Sequence, residues 1–203
     1  MISDRENPFA TRFIWPGQQY VEPPGCSEVG SLASHFLRKG GYGQIVGPHG
    51  CGKTSLAWAM TKSLRAEFRE IHFLVIRRSA KWGLRGEMVN RLAGQGEGEL
   101  WVVDGLERLS LVQRFGLVGH CRVQKKSLLV TAHQTCLGLP VLARLLPSLD
   151  HFQEIVQRLS AASGVSVETE TVRLAYDQND GDYREGLMFL YDAVQPQVLA
   201  AAC

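Results

Sequence analysis

The sequence predicts an α/β protein: a three-layer, mostly parallel sheet with helices on both faces, followed by a small C-terminal helical lid. Three observations carry this. Short apolar runs of strand length, at 42–46, 71–76, 99–104, 127–131 and 142–146, are separated by stretches with helical signals. A glycine-rich octapeptide at 47–54 sits between the first of these runs and a helix. From Asp150 onward the apolar spacing is helical only.

Taken in order, residues 1–26 form an irregular arm, punctuated by Asn7-Pro8, Trp15-Pro16-Gly17 and Pro23-Pro24-Gly25. Phe9, Phe13, Ile14, Trp15 and Tyr20 are apolar enough to pack this arm onto a core. The core spans 27–149. Ser27 is a candidate cap for a helix to about Arg38, with Val29, Leu32, Ala33, Phe36 and Leu37 on one face. Lys39-Gly40-Gly41 ends it. After the octapeptide a helix is expected from Ser55 to Phe68. The continuous apolar run 71–76 fits a strand buried on both faces. The stretch 77–91 is the most basic part of the chain, with Arg77, Arg78, Lys81, Arg85 and Arg91 against the single acid Glu87. A short helix at 84–92 and a glycine turn at 94–98 follow. Then come the strand 99–104, helix signals over 106–119 and the strands at 127–131 and 142–146. The helical lid spans 150–196: Asp150 caps one helix, 167–176 makes a second, and Asp182 leads into a third bearing Leu187, Leu190, Tyr191 and Val194. The tail 197–203 is expected to fray after Pro196.

The octapeptide Gly47-Pro48-His49-Gly50-Cys51-Gly52-Lys53-Thr54 fits G-x-x-x-x-G-K-[ST], and strand, glycine loop and helix is the setting that this phosphate-binding pattern requires. Glycines let successive backbone N–H groups point into one concavity without Cβ clashes. The helix start at Ser55 adds partial positive charge where phosphates would sit. Lys53 supplies a mobile cation for the β- and γ-phosphates, and Thr54 a hydroxyl for Mg²⁺. The run ending at Asp104 places a carboxylate at a strand end about fifty residues on, which suits a magnesium water shell. Thr131, at the end of the following strand, is a polar group in reach of a γ-phosphate or its attacking water. ATP with Mg²⁺ is therefore the expected cofactor pair. The absence of an Asn-Lys-x-Asp element favours ATP over GTP.

Composition narrows the alternatives. The 203 residues are 45% hydrophobic and 21% charged, as in an ordinary globular chain with a sizeable core. A net charge of +2 does not by itself call for a polyanion partner. Five scattered cysteines without C-x-x-C spacing argue against a disulfide framework or a zinc site and for a reducing compartment. No leader-like segment opens the chain and no apolar run approaches membrane-spanning length, so a cytoplasmic, membrane-free protein is expected. The basic stretch 77–91, with Trp82-Gly83 at its middle, reads either as a solvated loop or as a contact surface for nucleic acid or protein.

With these residues on the page, the chain resembles the AAA+ ATPases and their relatives among the additional-strand, catalytic-glutamate P-loop NTPases. The likeness covers about 27–194. Residues 47–54 match Walker A, and 100–104 match Walker B through its aspartate. The resemblance implies a sensor 1 role for Thr131 and a sensor 2 role for Arg184, within Gly181-Asp182-Tyr183-Arg184. One departure matters: where the family places a glutamate after the Walker B aspartate, this chain has Gly105. Val103-Asp104-Gly105-Leu106-Glu107 is similar to the signalling (STAND) branch, which makes Glu107 the candidate base that activates water. Arg122 and Arg144 are both candidates for an arginine finger. The implied function is an ATP-binding module, hydrolysing slowly with magnesium, whose nucleotide state switches shape or assembly with a protein partner or in a homo-oligomeric ring. The alternatives are a kinase acting on a small acceptor and a nucleotide binder that does not hydrolyse.

Overall fold

The structure is a computed structural model that describes residues 7–11, 13, 14, 20–23, 26–76, 97–136 and 138–200. The predicted basic stretch 77–91, the helix 84–92, Trp15 and the tail 201–203 lie outside the described residues. The chain divides into two compact units, one made of 27–47 and 56–144 and the other of 1–26, 48–55 and 145–203.

The first unit holds a sheet of five strands, all parallel: β1 (Tyr42–Val46), β2 (Glu70–Val75), β3 (Glu99–Asp104), β4 (Ser127–Ala132) and β5 (Val141–Arg144), in the order β2-β3-β4-β1-β5. Helices α1 (Val29–Arg38), α2 (Lys53–Ser63) and α3 (Leu111–Val123) accompany it, with a 3-10 turn at Leu106–Arg108. Register and pleat show how the layers form. Phe73 pairs with Val102, and Trp58 of α2 stacks on Phe73 at 4.2 Å, so α2 covers that face. Trp101 and Val103 point the other way by alternation. They join Leu128, Val130 and Ala132 in a buried cluster with Leu117, Val118 and Cys121 of α3. The expected three-layer core is therefore present. Burial pushes the Cys121 thiol up to about 11.

Several local expectations are corrected. The 71–76 run is not buried on both faces: β2 is an edge strand, and its residues are exposed or half-buried, because apolar content alone does not reveal strand order. Helix α1 starts after Glu28 rather than being capped by Ser27. Helix α2 stops at Ser63, and the chain turns through 64–67 instead of continuing to Phe68. The helix expected over 106–119 splits: the 3-10 turn comes first, and α3 begins after Ser110, whose hydroxyl accepts from the Gln113 N–H in a capping box.

The sheet also buries charge. Lys126 is fully buried, and its ammonium lies 3.0 Å from Glu99 Oε2, which also accepts from Trp101 Nε1 at 3.2 Å. Burial works against the Glu99 charge, but the bonds from Lys126 and Trp101 outweigh it and hold the carboxyl below its usual range.

The second unit contains α4 (Leu149–Ser163), α5 (Thr169–Gln178) and α6 (Tyr183–Ala200). Ser148 rather than Asp150 caps α4, accepting from the His151 N–H, and Asp150 lies in the first turn, where its charge favours the helix N-terminus. Helix α5 sits two residues later than expected. Helix α6 runs through Pro196 to Ala200, so the fraying expected after Pro196 does not begin there. Phe152, Val156, Leu159, Val172, Ala175, Tyr183, Leu187, Leu190 and Val194 make one core, and Phe9 of the N-terminal arm is buried in it. Asn7 fastens the arm by donating to the Tyr191 carbonyl and to Gln195 Oε1, each at 2.9 Å. The arm packs on the helices, a partner that composition could not indicate.

Two predictions follow from buried polar groups. Lys126→Ala should destabilise the fold by about 3–5 kcal/mol in denaturant unfolding, because Glu99 keeps a buried charge without its cation. Lys126→Met combined with Glu99→Gln, which keeps an acceptor for Trp101, should recover most of that loss. His151 is buried between Tyr183 and the Val21 carbonyl, and burial pushes its pKa below the ordinary 6.5. The unfolded chain then binds a proton that the folded one refuses, so this contribution is complete above the unfolded value and declines as pH falls below it. His151→Asn should flatten the fall in thermal stability between about pH 7 and 5.

Candidate phosphate-binding site

Because the sheet is parallel, the C-terminal ends of all five strands fall on one edge, where α/β sheets bind ligands. In the sheet unit this edge carries Gly47, Asp104 and Thr131. The Gly47 N–H donates to the Ala132 carbonyl at 3.2 Å, so β1 stays paired until the glycine loop begins.

The loop then turns at Gly50 and Gly52, with φ of +68° and +89°, a region that other residues rarely enter. Helix α2 opens directly at Lys53. The N–H groups of Lys53, Thr54 and Ser55 are therefore first-turn donors without an acceptor inside the helix. Lys53 is buried to 8% exposure, and its ammonium folds back onto the Pro48 carbonyl, with Cys51 Sγ 4.0 Å away. Cys51 is buried, its thiol donates to the same carbonyl at 3.1 Å, and burial raises its pKa. His49 Nδ1 lies 2.7 Å from Asp182 Oδ2. The donor set fits a polyphosphate: a buried lysine beside a glycine turn and a helix N-terminus all present positive charge.

Asp104 ends β3, and Thr131 lies near the end of β4. The Thr131 hydroxyl donates to Asp104 Oδ1 at 2.5 Å and accepts from the Gly105 N–H at 3.0 Å. One buried hydroxyl thus fixes the carboxylate and the turn behind it. Asp104 and Thr131 are a bonded pair, an arrangement that sequence separation concealed.

Gly105 has φ of +87°, and an added Cβ would stand 3.3 Å from the Ile76 carbonyl oxygen. A glutamate there would be strained, which gives a backbone reason for glycine at this position. Glu107 lies on the 3-10 turn that follows. Arg114 clamps that turn by donating to the Glu107 and Leu109 carbonyls at 2.7 and 2.8 Å, and Arg108 donates to the Ile76 carbonyl at 2.7 Å. Glu107 Oε1 stands 3.5 Å from His133 Nε2 and 4.0 Å from Arg108 Nε. Its Oε2 is buried and has no hydrogen-bond partner among the described residues. His133 is thus the neighbour of Glu107, a pairing that no spacing in the sequence announces.

Buried Gln44 on β1 organises the segment after β4: its Nε2 donates to the Cys136 and Leu139 carbonyls at 3.1 and 2.5 Å, and its Oε1 accepts from the Cys136 N–H at 3.0 Å. Of the two arginine-finger candidates, Arg144 donates to Thr135 Oγ1 at 2.9 Å and Arg122 lies 5.8 Å from the centre of the Tyr42 ring. In the helical unit Arg184 is exposed in the first turn of α6. No described helix is long and apolar enough to cross a membrane.

Thr131→Val, which keeps the shape and removes the hydroxyl, should destabilise the protein by about 1–3 kcal/mol in denaturant unfolding, because the Gly105 N–H and Asp104 both lose it. Thr131→Ser should retain most of the stability.

No family model matches the chain, and no curated protein does. Among solved structures it is similar to domain III of the replication initiation protein DnaA from Thermotoga maritima, with 16% identity, 85% of this chain and 94% of that one covered, and a TM-score of 0.51. PCH-2 from C. elegans matches with 13% identity over 84% of this chain and 67% of that one, at a TM-score of 0.45. The likeness to DnaA domain III is one of fold: a parallel α/β sheet with helices packed against it.

Proposed function

We propose that this protein binds ATP with magnesium on the loop 47–54 and uses the bound nucleotide to control its shape or its assembly with a partner. The observation that supports it most is local. Strand β1 runs into a loop with glycines in the left-handed region, and α2 opens at a buried lysine whose ammonium is held, among the described residues, by the loop's own carbonyl and thiol. A polyphosphate would offer that ammonium stronger, charged acceptors.

In this reading Gly47, Pro48, His49, Gly50, Cys51 and Gly52 form the cradle, Lys53 faces the β- and γ-phosphates, and Thr54 and Ser55 contribute first-turn groups. Magnesium, when bound, neutralises phosphate charge, and Thr54 and Asp104 are the residues assigned to hold it. Thr131 keeps Asp104 oriented through their hydrogen bond. Glu107 is assigned the proton of the attacking water, with His133 steadying its carboxylate. Arg184 senses the phosphate state from α6. Turnover is expected to be slow, because the base sits on a turn beyond Gly105 instead of directly after Asp104. The partner is a protein or a second copy of the chain; the basic stretch 77–91 is the segment assigned to a nucleic-acid contact if one is made.

Calorimetry with ADP and ATP tests binding, and Lys53→Ala should weaken it by roughly two orders of magnitude, as loss of a charged hydrogen bond to phosphate implies. Phosphate release without any added acceptor should be measurable and should fall at least about tenfold in Glu107→Gln. Unchanged release in that variant would remove Glu107 from the mechanism, and release only with an added acceptor would make the protein a kinase. A mass that differs between ADP and a non-hydrolysable ATP analogue would support assembly control.

A further inference from the structure

The loop pattern gives its third residue no chemical duty, yet His49 has a specific partner. Its side chain is 58% exposed, and Nδ1 meets Asp182 Oδ2 at 2.7 Å. The other oxygen of the same carboxylate accepts from the backbone N–H groups of Arg184 and Glu185 at 2.9 and 3.2 Å, which caps α6. Asp182 also packs directly on the loop: a Cβ built on Gly50 would fall 1.9 Å from Asp182 Oδ1. Glycine at position 50 thus serves two needs, the left-handed turn and room for this carboxylate. All these residues belong to the helical unit.

One side chain therefore joins the glycine loop to the start of the helix that carries Arg184. Capping alone does not call for a charge, since asparagine caps helices about as well as aspartate. A second carboxylate oxygen engaged by the loop histidine, over a glycine that leaves it space, goes beyond what a cap requires. A negative charge bonded to a loop that receives polyphosphate is also affected by the ligand, because like charges repel. The clasp consequently differs in free energy between the filled and the empty loop, and only such a difference lets a ligand bias a conformation.

We propose that Asp182 is a positioning residue that couples occupancy of the phosphate loop to helix α6 through its bond to His49. This rests on the reading that the loop takes a nucleotide. The coupling passes through two hydrogen-bonding functions of one carboxylate, with His49 reporting on the loop side and the Arg184 and Glu185 amides on the helix side.

The test is hydrogen exchange of the α6 amides from Gly186 to Leu190, with and without ADP or a non-hydrolysable ATP analogue, in wild type, Asp182→Asn and His49→Ala. Asparagine keeps a cap and removes the charge, and His49 is exposed enough for alanine to leave folding intact. In wild type, nucleotide should change exchange in this segment by about fivefold or more, the lower end of ordinary coupling between sites. In Asp182→Asn, whose side chain lies outside the phosphate cradle, that response should collapse to near unity while nucleotide still binds, and in His49→Ala it should collapse likewise when nucleotide is raised to saturation to offset any weaker binding. A wild-type response retained in both variants, or a wild type that binds nucleotide without any response in α6, overturns the coupling alone. A wild type that binds neither nucleotide overturns the nucleotide reading and the coupling with it.

Discussion

Every strand of the sheet runs in the same direction, and the rest of the architecture follows from that constraint. Parallel neighbours cannot be joined by hairpins, and helices α2 and α3, in the links from β1 to β2 and from β3 to β4, cover opposite faces of the sheet. The order β2-β3-β4-β1-β5 sets β4 between β1 and β3. The residues leaving β1, β3 and β4 then emerge on one edge. The Gly47–Ala132 and Asp104–Thr131 hydrogen bonds are the local expression of that geometry. The glycine loop begins where it does because β1 stays hydrogen-bonded to β4 through its last residue.

Two buried polar sites in the sheet unit are met by specific partners. Gln44 spends its amide on the segment after β4, and Lys126 and Glu99 neutralise each other beside Trp101. These groups contribute little net stability compared with apolar residues of the same shape, but losing one partner is costly. They serve register and loop placement more than strength. Gln44 fixes the chain between β4 and β5, where β1 pairs with β5 across an irregular register.

The fold and the loop were legible because both are written in short, local signals. Apolar runs of strand length locate β1, β3 and β4 within a residue, and the glycine, lysine and threonine types in 47–54 are dictated by backbone conformation and charge. What stayed hidden depends on contacts far apart in the chain. The edge position of β2 needs the strand order, which hydropathy does not encode. The bond between Asp104 and Thr131, the approach of His133 to Glu107 and the clasp of Asp182 on His49 each join residues separated by tens of positions or more. Helix ends were misplaced for a different reason. At Ser148 and Glu28 the competition among neighbouring caps is decided by local backbone geometry, and several residues nearby had suitable chemistry.

Gly105 shows how backbone geometry separates binding from chemistry in such a site. On the proposed reading, recognition of phosphate relies on N–H groups, a helix N-terminus and Lys53, all supplied by the stretch between β1 and α2, whereas water activation relies on one carboxylate at one place. With φ of +87° immediately after Asp104, the chain enters a conformation that disfavours a glutamate side chain, and Glu107, the base of the proposed mechanism, lies two residues along on a turn bonded by Arg108 and Arg114. One carboxylate oxygen of Glu107 is buried with no hydrogen-bond partner among the described residues, which carries a desolvation cost. On the proposed reading, that cost is carried by the group that receives the proton of the attacking water.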